Sequence, residues 1–414
     1  MVRGGRVLVD VRPLRVEAFR RLWAAGTVTA LGAQLTAVVV PLQIYDITGS
    51  SAWVGLAGLV GFGPMAVAAL WGGVLADVRD RRRVLLVTTV GIGVTSLLLW
   101  AQAWAGMRSA GLLLVLVGVQ QALFGANTAV SRAVPPRLVR PELLPAANAL
   151  QSTVVLSAGI GGPLLAGVLL PVVGAETLYL TDAVAVCAMV WAVWRLPSLP
   201  PAGIGGQRPG VRQIADGVRL VIHRQILLVV YLCDFAALSL GLPSALFPQL
   251  ARETFHPSDI GVLYAAVSAG GVLAGLLSGA FTRVGRHGVA VAVSAGLWGL
   301  AVAGFGLADS LIFAVGWLLL AGGALLALGV FRKTVLQTAV PDGMRGRLQG
   351  IDTVVAVGGP RLGDLLHGTV GAAVGTTWTI TGGGVLTVAA ALALLLLFPG
   401  FRGHRAPDTV VAGR

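Results

Sequence analysis

The chain has 414 residues, 56% of them hydrophobic and 11% charged, with a mean hydropathy of +0.86. Soluble proteins carry about 25% charged residues, so too few polar side chains exist here to coat a water-facing surface. A net charge of +13 would suggest a nucleic-acid partner in a soluble chain. Here the distribution of that charge argues against one and reads as membrane orientation. The 58 glycines suit closely packed membrane helices. Cys187 and Cys233 fall inside apolar runs, where no structural disulfide is expected.

Residues 1–18 are basic, with Arg3, Arg6, Arg12 and Arg15. The apolar run after them is too long for a cleaved signal and reads as an uncleaved first span. A span needs about 20 apolar residues. That measure predicts an all-α membrane protein with twelve spans: 20–44, 51–76, 84–104, 110–131, 145–171, 174–195, 225–250, 258–282, 288–306, 310–332, 346–371 and 375–398. An even number places both termini in the cytoplasm. Every Lys and Arg except Arg108 and Arg252 (outside) and Arg361 (within a span) is then cytoplasmic, which fits the positive-inside rule and attraction to anionic lipid. External connections are short: Ile47-Thr48-Gly49-Ser50 after span 1 and Val172-Val173-Gly174 after span 5.

Between spans 2 and 3 the chain reads Gly72-Gly73-Val74-Leu75-Ala76-Asp77-Val78-Arg79-Asp80-Arg81-Arg82-Arg83. Ala69, Gly73 and Asp77 share one helix face. Small residues there let a neighbouring backbone approach, and the arginines mark the cytoplasmic side. By residue type alone this is a positive-inside turn. It resembles the G-x-L-A-D-R-x-G-R-R motif between helices 2 and 3 of the major facilitator superfamily. Gly73, Leu75, Ala76, Asp77, Arg81 and Arg82 fit; Val78 and Asp80 depart. The resemblance implies that Asp77 locks the cytoplasmic side, with Arg132, Arg345 and Arg347 as candidate partners. The matching stretch of the second half has Arg283 where Asp77 would be, so the expected lock rests on the first half.

The long connection, 196–224, opens as a Pro/Gly-rich linker. From Val211 to Arg224 an apolar face of Val211, Ile214, Val218, Val221 and Ile222 predicts an amphipathic helix on the cytoplasmic interface. The connection divides the chain into a six-span half at 1–195 and another at 225–400, with a cytoplasmic tail at 401–414. Ser131-Arg132 answers Phe331-Arg332, Arg140-Pro141-Glu142 answers Val340-Pro341-Asp342, and Gly161-Gly162-Pro163 answers Gly358-Gly359-Pro360. Three matches in order suggest homologous halves, the arrangement of this superfamily, whose substrate sites lie near the midplane.

Phe19-Arg20-Arg21-Leu22-Trp23, the run Gln43–Ser51, and Pro341-Asp342-Gly343-Met344-Arg345-Gly346-Arg347 resemble the branch of the superfamily that contains the enterobactin exporter and macrolide-efflux proteins. The resemblance covers 19–398. It implies secondary active export of a small organic molecule, a siderophore, an antibiotic or a related metabolite, usually driven by proton entry. It also implies a bacterial cell-membrane location. Gly162-Pro163-Leu164-Leu165-Ala166-Gly167 resembles the antiporter motif G-P-x-x-G-G, with Ala166 in place of one Gly. Its physical content is a helix that can bend at Pro163 and be approached at Gly162 and Gly167, as at Gly359-Pro360.

Ionisable residues inside a membrane are functional candidates. Asp182, Asp234, Asp352 and Asp364 qualify, and Arg361, Asp364 and His367 form a polar stripe along span 11. Arg361 needs an anion: Asp364, Asp234 or a substrate carboxylate. Asp234 is the expected proton site, with Arg361 and Asp364 as a pair beside it. A static ion pair is the plain alternative. Cavity candidates are Gln34, Gln120, Gln121, Asn127 and Gln151, with Tyr231 and Phe235 flanking Asp234; single amides more often bond between helices. Such groups suit a large amphipathic cargo better than a sugar. No P-loop, zinc spacing or G-x-S-x-G appears, so neither an enzyme, a cofactor nor a metal is expected, and the chain is taken as a monomer. An importer or uniporter, or a scaffold without transport, stays open.

Overall fold

The computed structural model describes residues 10–200, 219–339 and 342–403, and their side chains except those at 73, 74, 76, 77, 280, 282, 283, 342–354 and 357. All regular structure among the described residues is helical. The long elements are α1 (Glu17–Thr48), α2 (Ser51–Val78), α3 (Arg81–Trp104), α4 (Ala110–Ser131), α5 (Leu144–Trp194), α6 (Gln225–Leu240), α7 (Phe247–Glu253), α8 (Ile260–Leu276), α9 (His287–Gly306), α10 (Leu311–Ala339), α11 (Asp342–Val374) and α12 (Thr376–Leu397). Ten helical stretches among the described residues are long and apolar enough to cross a membrane.

Several expected boundaries shift. The run 144–194, labelled α5 throughout, is two helices that meet without a loop at a kink at Gly174, with φ 77° and ψ 167°, a conformation that glycine adopts without Cβ strain. Span 7 stops at Leu240, after which Gly241-Leu242-Pro243 and a 3-10 turn at Ser244–Leu246 lead into α7. α10 runs to Ala339, seven residues past the expected end at Arg332. Of the expected amphipathic helix, 219–223 are helical and 211–218 lie outside the described residues.

Contacts divide the chain into two compact units. Unit 1 is Met1–Val40 with Gly63–Gly206, and unit 2 is Pro41–Phe62 with Gln207–Arg414. Compared with the expected first half, 1–195, unit 1 lacks the hairpin 41–62, which packs with the later residues, and runs on to Gly206. The boundaries fall beside Pro41 in α1 and Gly63-Pro64 in α2, where proline removes a helical hydrogen bond.

In unit 1, α3 packs on α4 and α5 around Leu99, Leu113, Val130, Tyr179 and Val186, all at most 1% exposed. A Cβ at Gly72 would stand 2.7 Å from the Ala126 backbone, so this glycine lets α2 approach α4. In unit 2, Trp298 is 1% exposed and its indole N–H donates to the Ala237 carbonyl at 3.0 Å. Phe247 stands edge-on to Tyr264 and Phe305, with ring centroids 4.9 and 5.8 Å away. A Cβ at Gly270 or Gly322 would collide with the Leu319 or Val267 carbonyl, which joins α8 to α10.

The hairpin 41–62 is tied to the rest of unit 2 at two levels. At its turn, Arg252 of α7 grips Asp46 through Nε and Nη2 at 2.8 and 2.5 Å. Tyr45 Oη donates to Glu253 at 2.6 Å, and Ser51 Oγ donates to Gln249 at 2.5 Å. Further along, Gly55 meets the backbone of Asp364 and Leu365, and Gly368 meets Ser51, so α2 and α11 touch through glycines.

Candidate functional site

Asp234 lies nine residues into α6 and Arg332 seven residues before the end of α10. The two elements run opposite ways at this contact, so the residues reach similar depth. Arg332 Nη1 donates to Asp234 Oδ2, and the side chains are 7% and 4% exposed. Of the anions left open for Arg361, Asp234 is thus taken by Arg332. Hydropathy places Arg332 at the cytoplasmic end of its span. It goes inward instead because α10 continues for two more turns; the paired depth of 234 and 332 is the signal in the sequence that could have found it.

Arg361 is half-buried, and its Nη1 donates to Asp364 Oδ2 at 3.2 Å. Asp364, itself 7% exposed, also accepts from the Ser244 hydroxyl. Tyr264 Oη donates to the Ser244 carbonyl at 3.2 Å, which adds α8 to the cluster. A Cβ at Gly58 would stand 3.1 Å from Asp364 Oδ2 and 3.5 Å from Arg361 Cδ, so α2 closes this site through a glycine. His367 is buried; its Nδ1, facing the Gly363 carbonyl at 3.0 Å, is the protonated nitrogen. Ser244 and Gly58 carry no sequence signal, since a hydroxyl after a helix break and a lone glycine are common.

The amides divide. Gln120 Nε2 donates to Ser96 at 3.1 Å, and Asn127 Nδ2 donates to Thr88 and Thr89 at 2.9 and 3.0 Å. Both amides face α3 and join it to α4, the interhelical role that single amides more often have. Tyr231 is 5% exposed and packs with Val221 and Leu227, so it is a core residue. Phe235 is 41% exposed and Gln151 is exposed, while Gln34 and Gln121 are half-buried. A Cβ at Gly162 would collide with Gln34 Cβ, so α1 crosses α5 one residue from Pro163; Gly167 is buried. Gly359 lies against Leu238, and its carbonyl accepts from Ser239 at 3.3 Å, next to Pro360 inside α11.

At the turn between α2 and α3, the side chains of Gly73, Asp77, Arg345 and Arg347 lie outside the described residues. Arg81 is 8% exposed, and its backbone N–H donates to the Leu199 carbonyl at 3.1 Å. Arg82 Nη2 donates to the Trp194 carbonyl at 2.5 Å, satisfying the end of α5. Arg132 caps α4 and is exposed. Asp80, a departure from the motif, has its own task. Its carboxylate accepts from the Arg82 N–H at 2.8 Å as the cap of α3, from Ser198 Oγ at 2.5 Å and from the Leu199 N–H at 3.3 Å. Burial pushes this carboxyl up, but the hydrogen bonds from Ser198, Leu199, Arg82 and Arg83 outweigh it and hold it below the usual carboxylate range.

The chain resembles known proteins over nearly its whole length. The model of the transmembrane secretion effector family matches residues 9–404. The chain is 30% identical over 400 residues to the enterobactin exporter EntS of Shigella boydii serotype 18, covering 95% of each protein. It is 30% identical over 401 residues to the enterobactin exporter EntS of Citrobacter koseri, covering 96% of this chain and 95% of the relative. Among solved structures, a bacterial homologue of the iron transporter ferroportin in an inward-facing state superposes with a TM-score of 0.68 at 17% identity, over 94% of this chain and 99% of that one. That likeness shows the fold. A family model matched across nearly the whole length, with relatives 30% identical over 95% of the chain or more, places the protein: it belongs to the transmembrane secretion effector family of the major facilitator superfamily.

Proposed function

We propose that this protein is a proton-coupled exporter of a small amphipathic organic molecule, of the siderophore or antibiotic class, acting by alternating access in a bacterial cell membrane. Family membership and the similarity to enterobactin exporters support export. Twelve spans follow if α5 counts twice at its Gly174 break and α11 joins the apolar stretches. Two six-span halves then flank the cytoplasmic connection, with both termini inside and the chain acting as a monomer. Asp77, with Gly73, Arg81, Arg82, Arg132, Arg345 and Arg347, forms the cytoplasmic lock.

The observation that carries the coupling is the buried pair of Asp234 with Arg332. A buried ion pair holds only while both members are charged. A proton entering from outside and landing on Asp234 ends the pair and loosens α6 from α10. Its release inside restores both. Arg361 with Asp364 serves as a structural pair within α11, tied through Ser244 to the turn after α6.

Accumulation of a panel of siderophores and antibiotics, in cells with and without the protein and with and without an uncoupler, tests the function. Export that the uncoupler does not change would refute proton coupling; no effect on any compound would refute export. Asp234→Asn should abolish uphill export yet leave downhill counterflow partly intact. Uphill export surviving in Asp234→Asn and lost in Asp364→Asn would move the proton site to Asp364.

A further inference from the structure

Unit 1 contains a carboxylate that the coupling scheme does not use. Asp182 sits in α5 eight residues past Gly174, about 12 Å along the helix at 1.5 Å per residue. It is 2% exposed. Its Oδ2 accepts from Thr36 Oγ1 at 3.0 Å and from Ser96 Oγ at 2.8 Å. Ser96 in turn accepts from Gln120 Nε2 at 3.1 Å. Thr36 lies on α1 and Ser96 on α3, so three helices, α5 included, meet at one carboxyl group, and Gln120 joins α4 to it through Ser96. Oδ1 faces α1 at Gly32, where a Cβ would stand 2.8 Å from it.

The two other mid-span carboxylates with described side chains each have an arginine: Arg332 for Asp234 and Arg361 for Asp364. Among the ion pairs of the described residues none includes Asp182. Its neighbours are Gly32 and Thr36 from α1, Ser96 from α3 with Gln120 of α4 behind it, and Ala185 on its own helix. The nearby titratable side chain on α5 is Tyr179, one turn earlier and fully buried. An ionised carboxylate in the hydrocarbon region needs compensation by a charge, and two hydroxyl donors on one oxygen supply dipoles only. Serine and threonine hydroxyls rotate, so each can donate a hydrogen bond or present a lone pair. With the carboxylate they make an all-oxygen set with one negative charge, and the Gln120 amide N–H holds Ser96 in place. Oxygen donors suit hard cations, and a single carboxylate balances one positive charge, whereas divalent sites recruit more.

We propose that Asp182, with Thr36 and Ser96, is a buried binding site for a small monovalent cation, a proton or a sodium ion, within unit 1. Both ions neutralise the carboxylate at the point where α1, α3 and α5 meet, so occupancy governs how firmly these helices hold together. The site is separate from Asp234 and stands whether or not that residue carries the coupling proton.

The test is the thermal unfolding midpoint of the purified full-length protein in detergent, read by tryptophan fluorescence. It is taken from mildly acidic to mildly alkaline buffer, in sodium chloride and in choline chloride of equal ionic strength. In choline the wild-type midpoint should fall as pH rises, and Asp182→Asn should lack that part of the fall. If sodium is an occupant, added sodium should restore the midpoint in alkaline buffer, saturably, and Ser96→Ala should raise the half-saturating concentration roughly tenfold through one lost hydrogen bond to a charged group. If a proton alone binds, the pH curves in the two salts should coincide and still differ from those of Asp182→Asn. Wild type and Asp182→Asn responding identically to pH and sodium would overturn the proposal. Should Asp182→Asn fail to fold, Thr36→Val and Ser96→Ala keep the carboxylate, and wild-type ion dependence in both would overturn it equally. No transport is measured, so this outcome is independent of whether the protein exports.

Discussion

At the scale of single residues, charge compensation inside the spans decides most outcomes. Arg332→Leu leaves Asp234 buried without its guanidinium. Breaking such a pair from one side costs about 3–5 kcal/mol, whereas replacing both members by apolar residues costs far less. Arg332→Leu should therefore lower the unfolding midpoint strongly, and Arg332→Leu with Asp234→Leu should recover most of the loss. Equal midpoints for the single and double variants would show that leaving Asp234 without its partner carries no penalty of its own. Asp80 makes a prediction on the pH axis. Its carboxyl is held below the usual range in the folded chain, so the folded state binds its proton more weakly than the unfolded state, whose carboxyl titrates at about 3.9. Its stabilisation is full above that value and is lost as pH falls through the lower, folded value. Asp80→Asn should melt below the wild type at neutral pH and converge with it in strong acid. Melting curves that stay parallel down to acid pH would refute the role.

At the scale of elements, glycine contacts set where helices can meet. Gly270 of α8 and Gly322 of α10 each approach a carbonyl of the partner helix, and a backbone carbonyl cannot turn aside as a side chain can. Gly322→Leu should destabilise unit 2 by about 1–3 kcal/mol through overpacking. Gly316→Leu, a few residues earlier on the same helix with open space around its Cβ position, should be close to neutral. The two variants melting alike would remove the packing argument. The hairpin 41–62 obeys the same logic of close approach. Its length and turn are legible in the sequence, since Ile47–Ser50 is a short polar interruption. Its attachment to α7 and α11 is not, because Asp46, Tyr45, Gly55 and Gly58 acquire partners from residues about 200 or more positions away.

At the scale of the whole molecule, the topology is open to chemical labelling. With Cys187 and Cys233 first replaced, single cysteines at Gly106 or Gly375, both in positive-φ turns after apolar stretches, should react with a membrane-impermeant thiol reagent added to intact cells. A cysteine at Arg82 should react only after the membrane is opened. External labelling at position 82 would refute the cytoplasmic placement of the α2–α3 turn and, with it, the orientation of both termini.

The sequence by itself determined the solvent of this protein and the rhythm of its chain. Hydropathy, run length and the one-sided arginines are local quantities, and a bilayer admits few backbone solutions. An all-helical membrane protein of this superfamily is therefore legible in the order of its residues. So are Asp182, Asp234, Arg361 and Asp364, as charges in the wrong medium. Only the tertiary structure decided which groups compensate them. Asp234 takes Arg332 because α10 runs on and carries that arginine inward; Asp364 adds Ser244 where α6 breaks; Asp182 gathers Thr36 and Ser96 from two other helices. Helical periodicity fixes which side chains share a face, but the rotation and depth of each helix against its neighbours are set by packing and by the cost of an unpaired buried charge. Those are sums over distant residues that no stretch of sequence contains.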